Sequence, residues 1–260
     1  MTATADPGAL RRAGYLPSVR AVAGRNLRKI VRTPATLIAP TVQAVTFLLI
    51  FRYVFGGAIA SGALSYVDYM VPGLVTASML FAVMGVGTDV AEDARAGVID
   101  RFRSLPMPGS AVLVGRAVAE LLVLAVAASA TTAVAVATGF RPRAGLPGLL
   151  AMFGLCLLVG AVFTWVFILI GLLTRNPRAA QGVAFLVLPL TFLSSAYVPT
   201  ATMAAGLRTV AAHQPVTVLI DAARGLAHGT TGSLLPALAW CAGIAAVVVP
   251  LAVAVHERRR

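Results

Sequence analysis

Residues 148–173 read GLLAMFGLCLLVGAVFTWVFILIGLL, without one charged side chain. A helix resting on a soluble core alternates an apolar stripe with a polar one, and no polar stripe is present here. A helix of about 20 residues crosses the hydrocarbon core of a bilayer. This run is longer than that, so it reads as a span that tilts or protrudes. Alternation of the β-barrel kind is absent. Inside lipid every backbone N–H and C=O must then pair within its own helix.

Working outward, similar apolar stretches occupy about 35–55, 68–88, 110–138, 181–199 and 234–255. The whole composition agrees. Hydrophobic residues make up 59% and charged residues 12% of the 260, against roughly 25% charged in a soluble domain. Mean hydropathy is +0.90. The reading is an all-α polytopic membrane protein with six transmembrane helices. The region 200–233 is weakly apolar and broken by Pro215 and Gly225, so it reads as paired short re-entrant helices entering from the outer face before the last span.

Basic residues set the orientation. Lys and Arg total 21 and Asp and Glu 9, giving +12, and Lys29 is the sole lysine. With both termini in the cytoplasm, the inner side holds Arg11, Arg12, Arg20, Arg25, Arg28, Lys29, Arg32, Arg95, Arg101, Arg103, Arg116, Arg175, Arg178 and the cluster Arg258, Arg259 and Arg260. Only Arg52, Arg141, Arg143, Arg208 and Arg224 fall outside. A full crossing by 200–233 would put the terminal arginines on the wrong side. The charge is thus spent on topology and gives no reason to expect nucleic-acid binding.

The first 33 residues do not read as a signal peptide, because the apolar run begins late and no small-residue cleavage site ends it. Ser18 to Thr33 instead reads as an amphipathic interfacial helix. Val19, Val22, Ala23, Leu27, Ile30 and Val31 share one face. Arg25, Arg28, Lys29 and Arg32, with Arg20, cover much of the rest and suit anionic lipid headgroups.

The segment after the second span is the most informative polar one. Val90, Ala94, Val98, Phe102 and Leu105 fall at helical spacing, Asp89, Glu92, Asp93, Asp100 and Arg103 can form a charged face, and Pro106 ends the pattern. Such a helix, exposed to the cytoplasm, fits docking to another protein. Arg116 and Glu120 stand one turn apart near the inner end of the third span. A pair there reads as a structural anchor or gate contact, or else as a proton-coupling acid. Pro189 can bend the fifth span, and Phe192, Tyr197 and Pro199 near its outer end read as an interface anchor or a gate. Beyond Pro215, Asp221 and Arg224 at i,i+3 read as a local salt bridge.

Several chemistries are excluded by the residues. Lys29 is followed by Ile30, so no Walker A loop exists and any ATP hydrolysis belongs to another chain. Ser194, Ser195, His213 and Asp221 carry no nucleophile motif. His228 and His256 belong to no metal-binding pattern, and Cys156 and Cys241 lie inside apolar runs without ligand spacing. No metal or other cofactor is expected on this chain. Few charges interrupt the spans, which argues against a charged ion channel. No internal repeat of the inverted kind is apparent.

Three blocks resemble the permease subunits of ATP-binding-cassette type-2 exporters, and among them the daunorubicin-resistance permease group. The first runs from Glu92 to Met107 and continues to Gly115-Arg116. The second joins Asn176-Pro177-Arg178-Ala179-Ala180-Gln181 to Pro189 through Pro199. The third is Gln214-Pro215-Val216-Thr217 with Asp221-Ala222-Ala223-Arg224. Gln214 stands where the family commonly has asparagine, and Ala196 where glycine is expected.

The resemblance, covering about 18–257, implies a half-transporter. It would pair with a second permease copy as a homodimer, and a separate cytoplasmic ATPase would bind ATP and magnesium. It assigns coupling to Glu92, Asp93, Arg95, Gly97, Val98, Arg101, Phe102 and Leu105, the connecting helix to residues 18–33, and the re-entrant pair to about 198–232. The chain then divides into a cytoplasmic tail and interfacial helix (1–33), a six-span permease domain (34–257) containing a coupling loop (89–109) and the outer re-entrant region (199–233), and a basic tail (258–260). The expected activity is export of an amphipathic drug-like or lipid-like molecule from the cytoplasm or inner leaflet. An ATP-independent transporter or channel, a lipid-linked glycan exporter and a membrane scaffold are the competing readings.

Overall fold

The structure, a computed structural model, describes residues 14–33, 35–56, 64–98 and 108–258. The segment before residue 14, the coupling candidates Arg101, Phe102 and Leu105, and residues 259–260 lie outside it. The described residues form helices α1 (Tyr15–Arg32), α2 (Ala35–Ile50, continued by a π-helical turn, Phe51–Phe55), α3 (Tyr66–Arg95), α4 (Gly109–Ala137), α5 (Gly145–Thr174), α6 (Pro177–Ala184), α7 (Val187–Phe192), α8 (Ala205–His213), α9 (Pro215–His228) and α10 (Leu234–Glu257). Five stretches are long and apolar enough to cross a membrane: Ile38–Phe55, α3, α4, α5 and α10. The chain is an all-α, multi-pass membrane protein.

The core forms around α3 and α5. Most of α3 is buried, from Tyr69 through Leu80 without a break. The two helices approach closely because glycines face each other: a Cβ on Gly171 would lie 2.5 Å from the Gly87 carbonyl oxygen and 2.7 Å from Val90 Cβ. With no aqueous hydrophobic effect between helices in lipid, such backbone proximity supplies the dispersion contacts that hold them. Gly115 plays the same part where α4 meets α1, since a Cβ there would lie 2.8 Å from Val22 Cβ. Accordingly Val19 and Val22 of α1 are buried, while Arg20, Arg28 and Arg32 are exposed.

The expected fifth span differs from its neighbours. It is built as α6 and α7, eight and six residues long, instead of one continuous helix. Pro189 explains the interruption. It has no N–H to donate to the carbonyl four residues back, and it is tolerated only in a first turn. Leu188 N instead reaches the Phe185 carbonyl at 3.1 Å, a tighter turn that closes the gap. The start of α6 is set by Asn176, which caps it by accepting from Arg178 N at 3.0 Å, followed by Pro177 at the first helical position.

The region after α7 is also helical. α8 is largely exposed, whereas α9 packs between α3 and α5 with seven buried residues. Gly229, at φ 87°, ends α9 in the left-handed conformation expected of a helix stop. By contrast, α10 and the apolar part of α2 are left mostly uncovered by the rest of the chain.

Candidate functional site

Polar side chains gather at the two ends of α3. At the first end Asp89 and Asp93 lie one turn apart on the last turns of the helix. Both face Arg116 of α4. Arg116 Nη1 donates to Asp93 Oδ2 at 2.6 Å, and Nη2 lies 3.3 Å from Asp89 Oδ2. The Arg116 side chain is 16% exposed, so this is a charge-assisted bond partly withdrawn from solvent. The sequence reading paired Arg116 with Glu120, and the structure pairs it otherwise. Two carboxylates on α3 offer a bridging guanidinium more than one carboxylate on its own helix does.

The coupling candidates also separate. Glu92, Asp93 and Arg95 are not part of a distinct amphipathic helix. They form the last turn of α3, with Glu92 and Arg95 exposed. Gly97, at φ 68°, takes a left-handed turn just beyond, so Val90 and Ala94 cannot share one straight helix with Val98. That turn brings Val98 to a small cavity of about 30 Å³ that it lines with Val22, Arg25, Asp93, Arg116 and His256. The chain leaving α3 therefore rests against α1. Of the basic residues proposed for α1, Arg25 borders this cavity, Arg28 and Arg32 point outward, and Lys29 borders a larger cavity with Glu120.

At the other end of α3 a knot forms around Arg224 of α9. Its Nε donates to the Tyr69 carbonyl at 3.0 Å, its Nη2 to the Ser195 carbonyl at 2.7 Å, and its Nη1 to Asp221 Oδ1 at 2.5 Å. The guanidinium also lies 3.8 Å from the centre of the Tyr69 ring, a cation–π contact. Ser195 Oγ donates to the same Asp221 oxygen at 2.7 Å, and Tyr69 Oη to the Ser195 carbonyl at 3.0 Å. The predicted Asp221–Arg224 salt bridge is thus present as one strand of a larger net.

Backbone proximity makes the knot possible. A Cβ on Gly73 would meet the Ala196 carbonyl oxygen at 2.5 Å, so the buried segment 194–197 lies directly on α3. Tyr197 is stacked on Phe51 at 4.4 Å and touches Phe192 at 5.2 Å. Phe192 itself is exposed, as is Pro189, and Pro199 opens a short 3-10 turn. Pro215 starts α9. Just before it, Gln214 Nε2 donates to the Leu190 and Leu193 carbonyls at 3.1 and 2.8 Å. The Gln214 amide thereby supplies N–H groups to the end of α7, which otherwise lacks them.

Sequence reasoning did not find Tyr69 or the Ser195 carbonyl, and it met Gln214 only as a departure from the family's usual asparagine. Tyr69 lies within an apolar run and looks like core, and the backbone acceptors leave no trace in residue type. The rejected hydrolase reading stays rejected on geometry: the Asp221 oxygen near Ser195 is shared with Arg224, while His213 is exposed and bonded to the Thr209 carbonyl. Among the described residues no group of His, Cys, Asp and Glu is arranged to hold a metal ion.

A family model described as ABC-2 type transporter matches residues 17–227, a span that includes both polar clusters. The chain is 31% identical to the daunorubicin resistance ABC transporter permease protein DrrB1 of Streptomyces coeruleorubidus, over 87% of this chain and 81% of that protein. It is 27% identical to the probable doxorubicin resistance ABC transporter permease protein DrrC of Mycobacterium tuberculosis, over 88% and 84% respectively. A third relative, the doxorubicin resistance ABC transporter permease protein DrrB of the same species, is 31% identical over 55% of this chain and 51% of its own length.

Proposed function

This chain belongs to the ABC-2 type transporter family and is the permease subunit of an exporter that works with a separate ATPase; from that premise we propose that two copies form the pathway and move an amphipathic drug-like or lipid-like molecule out of the cytoplasm or inner leaflet. The relatives' drug-resistance names and the scarcity of charge in the spans support that substrate class over inorganic ions.

The Arg116 end of α3 faces the cytoplasm. Both termini lie there, α1 rests on the inner leaflet through its arginines, and residues 89–109 contact the ATPase. α6 and α7 together make the fifth crossing as a broken helix, and α8 and α9 enter and leave from the outer face. The position of α9 supports this topology. Its last residues bond the far end of α3, His228 Nε2 lying 2.9 Å from the Asp68 carbonyl, whereas its first reach the Leu190 and Leu193 carbonyls of the α7 region.

One observation carries the mechanism: α3 is clamped at both ends, by Arg116 at one and Arg224 at the other. Its 30 residues span about 45 Å at 1.5 Å per residue. A push at Glu92 and Arg95 during ATP-driven closure of the partner reaches segment 194–197 through one rigid element. That fits rigid-body switching between two packed arrangements.

The test is association with the cognate ATPase in membranes. Glu92→Arg reverses a charge on the exposed last turn of α3 without touching the Arg116 clamp, and it is expected to reduce recovery of the ATPase in a pull-down at matched expression. Asp93→Arg would break the clamp as well and so test two things at once. Undiminished recovery with Glu92→Arg would place the main contact elsewhere.

A further inference from the structure

α1 and α4 touch and then part. Their close contact is at Gly115, where a Cβ would lie 2.8 Å from Val22 Cβ and 2.9 Å from the Val19 carbonyl oxygen. Beyond it α1 runs on to Lys29 and Thr33, and α4 to Glu120 and Val123. All four line a cavity of about 510 Å³, which α3 also borders through Asp89 and Glu92. Lys29 stands two turns past Val22, about 10 Å along the helix at 1.5 Å per residue. A small tilt of α1 about the Gly115 contact therefore sweeps Lys29 through a few ångströms while leaving Val22 in place.

The charges around this cavity are unbalanced. Three carboxylates, Asp89, Glu92 and Glu120, meet one ammonium, that of Lys29, the sole lysine of the chain. Asp89 is held by Arg116 at 3.3 Å, and Arg116 is committed to α3, donating to Asp93 as well. Among the described residues neither Glu120 nor Lys29 has a hydrogen bond or an ion pair. The two unpaired acids differ. Glu92 is exposed, where water screens a pair and leaves it worth little. Glu120 is half-buried on a membrane-crossing helix, where a carboxylate without a partner is costly and a pair gains more.

We infer that Lys29 and Glu120 are the two halves of an inner latch: α1 tilts about Gly115, the cavity closes, and the Lys29 ammonium donates to the Glu120 carboxylate. The arrangement described above is the open one. Arg116 stays on Asp89 and Asp93 throughout, so the α3 clamp is kept while the space beside it is sealed. This deepens the exporter reading and rests on it only for what drives the motion, since Glu92, on the turn of α3 that meets the ATPase in that reading, borders the same cavity.

A zero-length carbodiimide cross-link tests the contact on the full-length permease alone, in phosphatidylcholine nanodiscs. The reagent joins an amine to a carboxylate only where the two touch, and the chain has one lysine side chain to offer. Peptide mass spectrometry reads which acid is joined to it. Lys29–Glu120 is expected as the main internal product, and Lys29→Arg, which keeps the charge but not the amine, should abolish it. Joining of Lys29 to Glu92 or Asp89 in its place, or no internal product, would overturn the latch.

Charge exchange gives a second measurement, one that a merely structural role would not move. With the cognate ATPase present, Lys29→Glu and Glu120→Lys should each lower ATP-driven transport roughly tenfold, and the two together should recover most of it, because the pair is restored in reverse. Undiminished transport in the single exchanges, or no recovery in the double one, would contradict the latch. If Glu120→Lys does not fold, the cross-link on the unaltered chain still decides. The cross-link needs no ATPase, so its failure leaves ATP-driven export standing. An unaltered chain that forms the cross-link but does not transport would sink the exporter reading and leave the latch.

Discussion

Arg224 ties together parts of the chain that are far apart in sequence. It bonds α3 through the Tyr69 carbonyl, segment 194–197 through the Ser195 carbonyl, and its own helix through Asp221. Its side chain is 12% exposed, against 41% for Asp221. Removing it leaves two carbonyls short of a charged donor in a largely dry site. Arg224→Ala should cost about 2–3 kcal/mol, whereas Asp221→Ala, which removes an exposed acceptor, should cost less. Thermal unfolding in matched nanodiscs measures both. Equal losses would mean that the local salt bridge, and not the bonds to α3 and segment 194–197, holds the knot. Sequence alone showed the Asp221–Arg224 spacing but not this asymmetry, because the decisive acceptors are backbone carbonyls brought near by folding.

Among the elements, the ones legible beforehand share one property: a long apolar run with two charges at most. The stretches at 110–138, 148–173 and 234–255 match helices Gly109–Ala137, Gly145–Thr174 and Leu234–Glu257 to within a turn. The helix expected from residue 18 begins at Tyr15, since Pro17 is tolerated in a first turn. Where hydropathy misled, local backbone chemistry was the cause. The apolar stretch 181–199 is divided at Phe185–Leu186, one turn before Pro189, and the helical spacing from Val90 to Leu105 passes through Gly97, whose left-handed conformation lies just beyond α3.

Packing between elements gives a sharper test than their boundaries do. A Cβ at Gly171 would push into the Gly87 carbonyl and the β-branched Val90, neither of which moves easily. Gly171→Ala should therefore destabilise by about 1–3 kcal/mol. Gly154→Ala lies on the same helix where a Cβ meets nothing within 4 Å, and it should be neutral or slightly stabilising. Thermal unfolding of the two variants side by side checks the α3–α5 contact, and similar behaviour would contradict it.

For the whole molecule, the two clamped ends of α3 should lie on opposite sides of the membrane. In a background lacking Cys156 and Cys241, single cysteines at Arg95 and Thr231, both exposed, should label from the cytoplasmic and outer sides respectively. Thr231 is preferable to Gly229, whose φ of 87° would strain a side chain. Labelling of Thr231→Cys from the cytoplasm would overturn the re-entrant placement of α8 and α9. The multi-pass, all-α character was readable from the long apolar runs, but the division of residues 177–192 into two short helices was not.

ATP dependence in proteoliposomes tests the exporter reading most directly. The permease is reconstituted with its cognate ATPase, ATP is supplied on the ATPase side and any proton gradient is collapsed. A fluorescent amphipathic amine should then be transported, and transport should stop when the ATPase is replaced by a hydrolysis-deficient form. Transport by the permease alone, driven by a proton gradient without ATP, would contradict it.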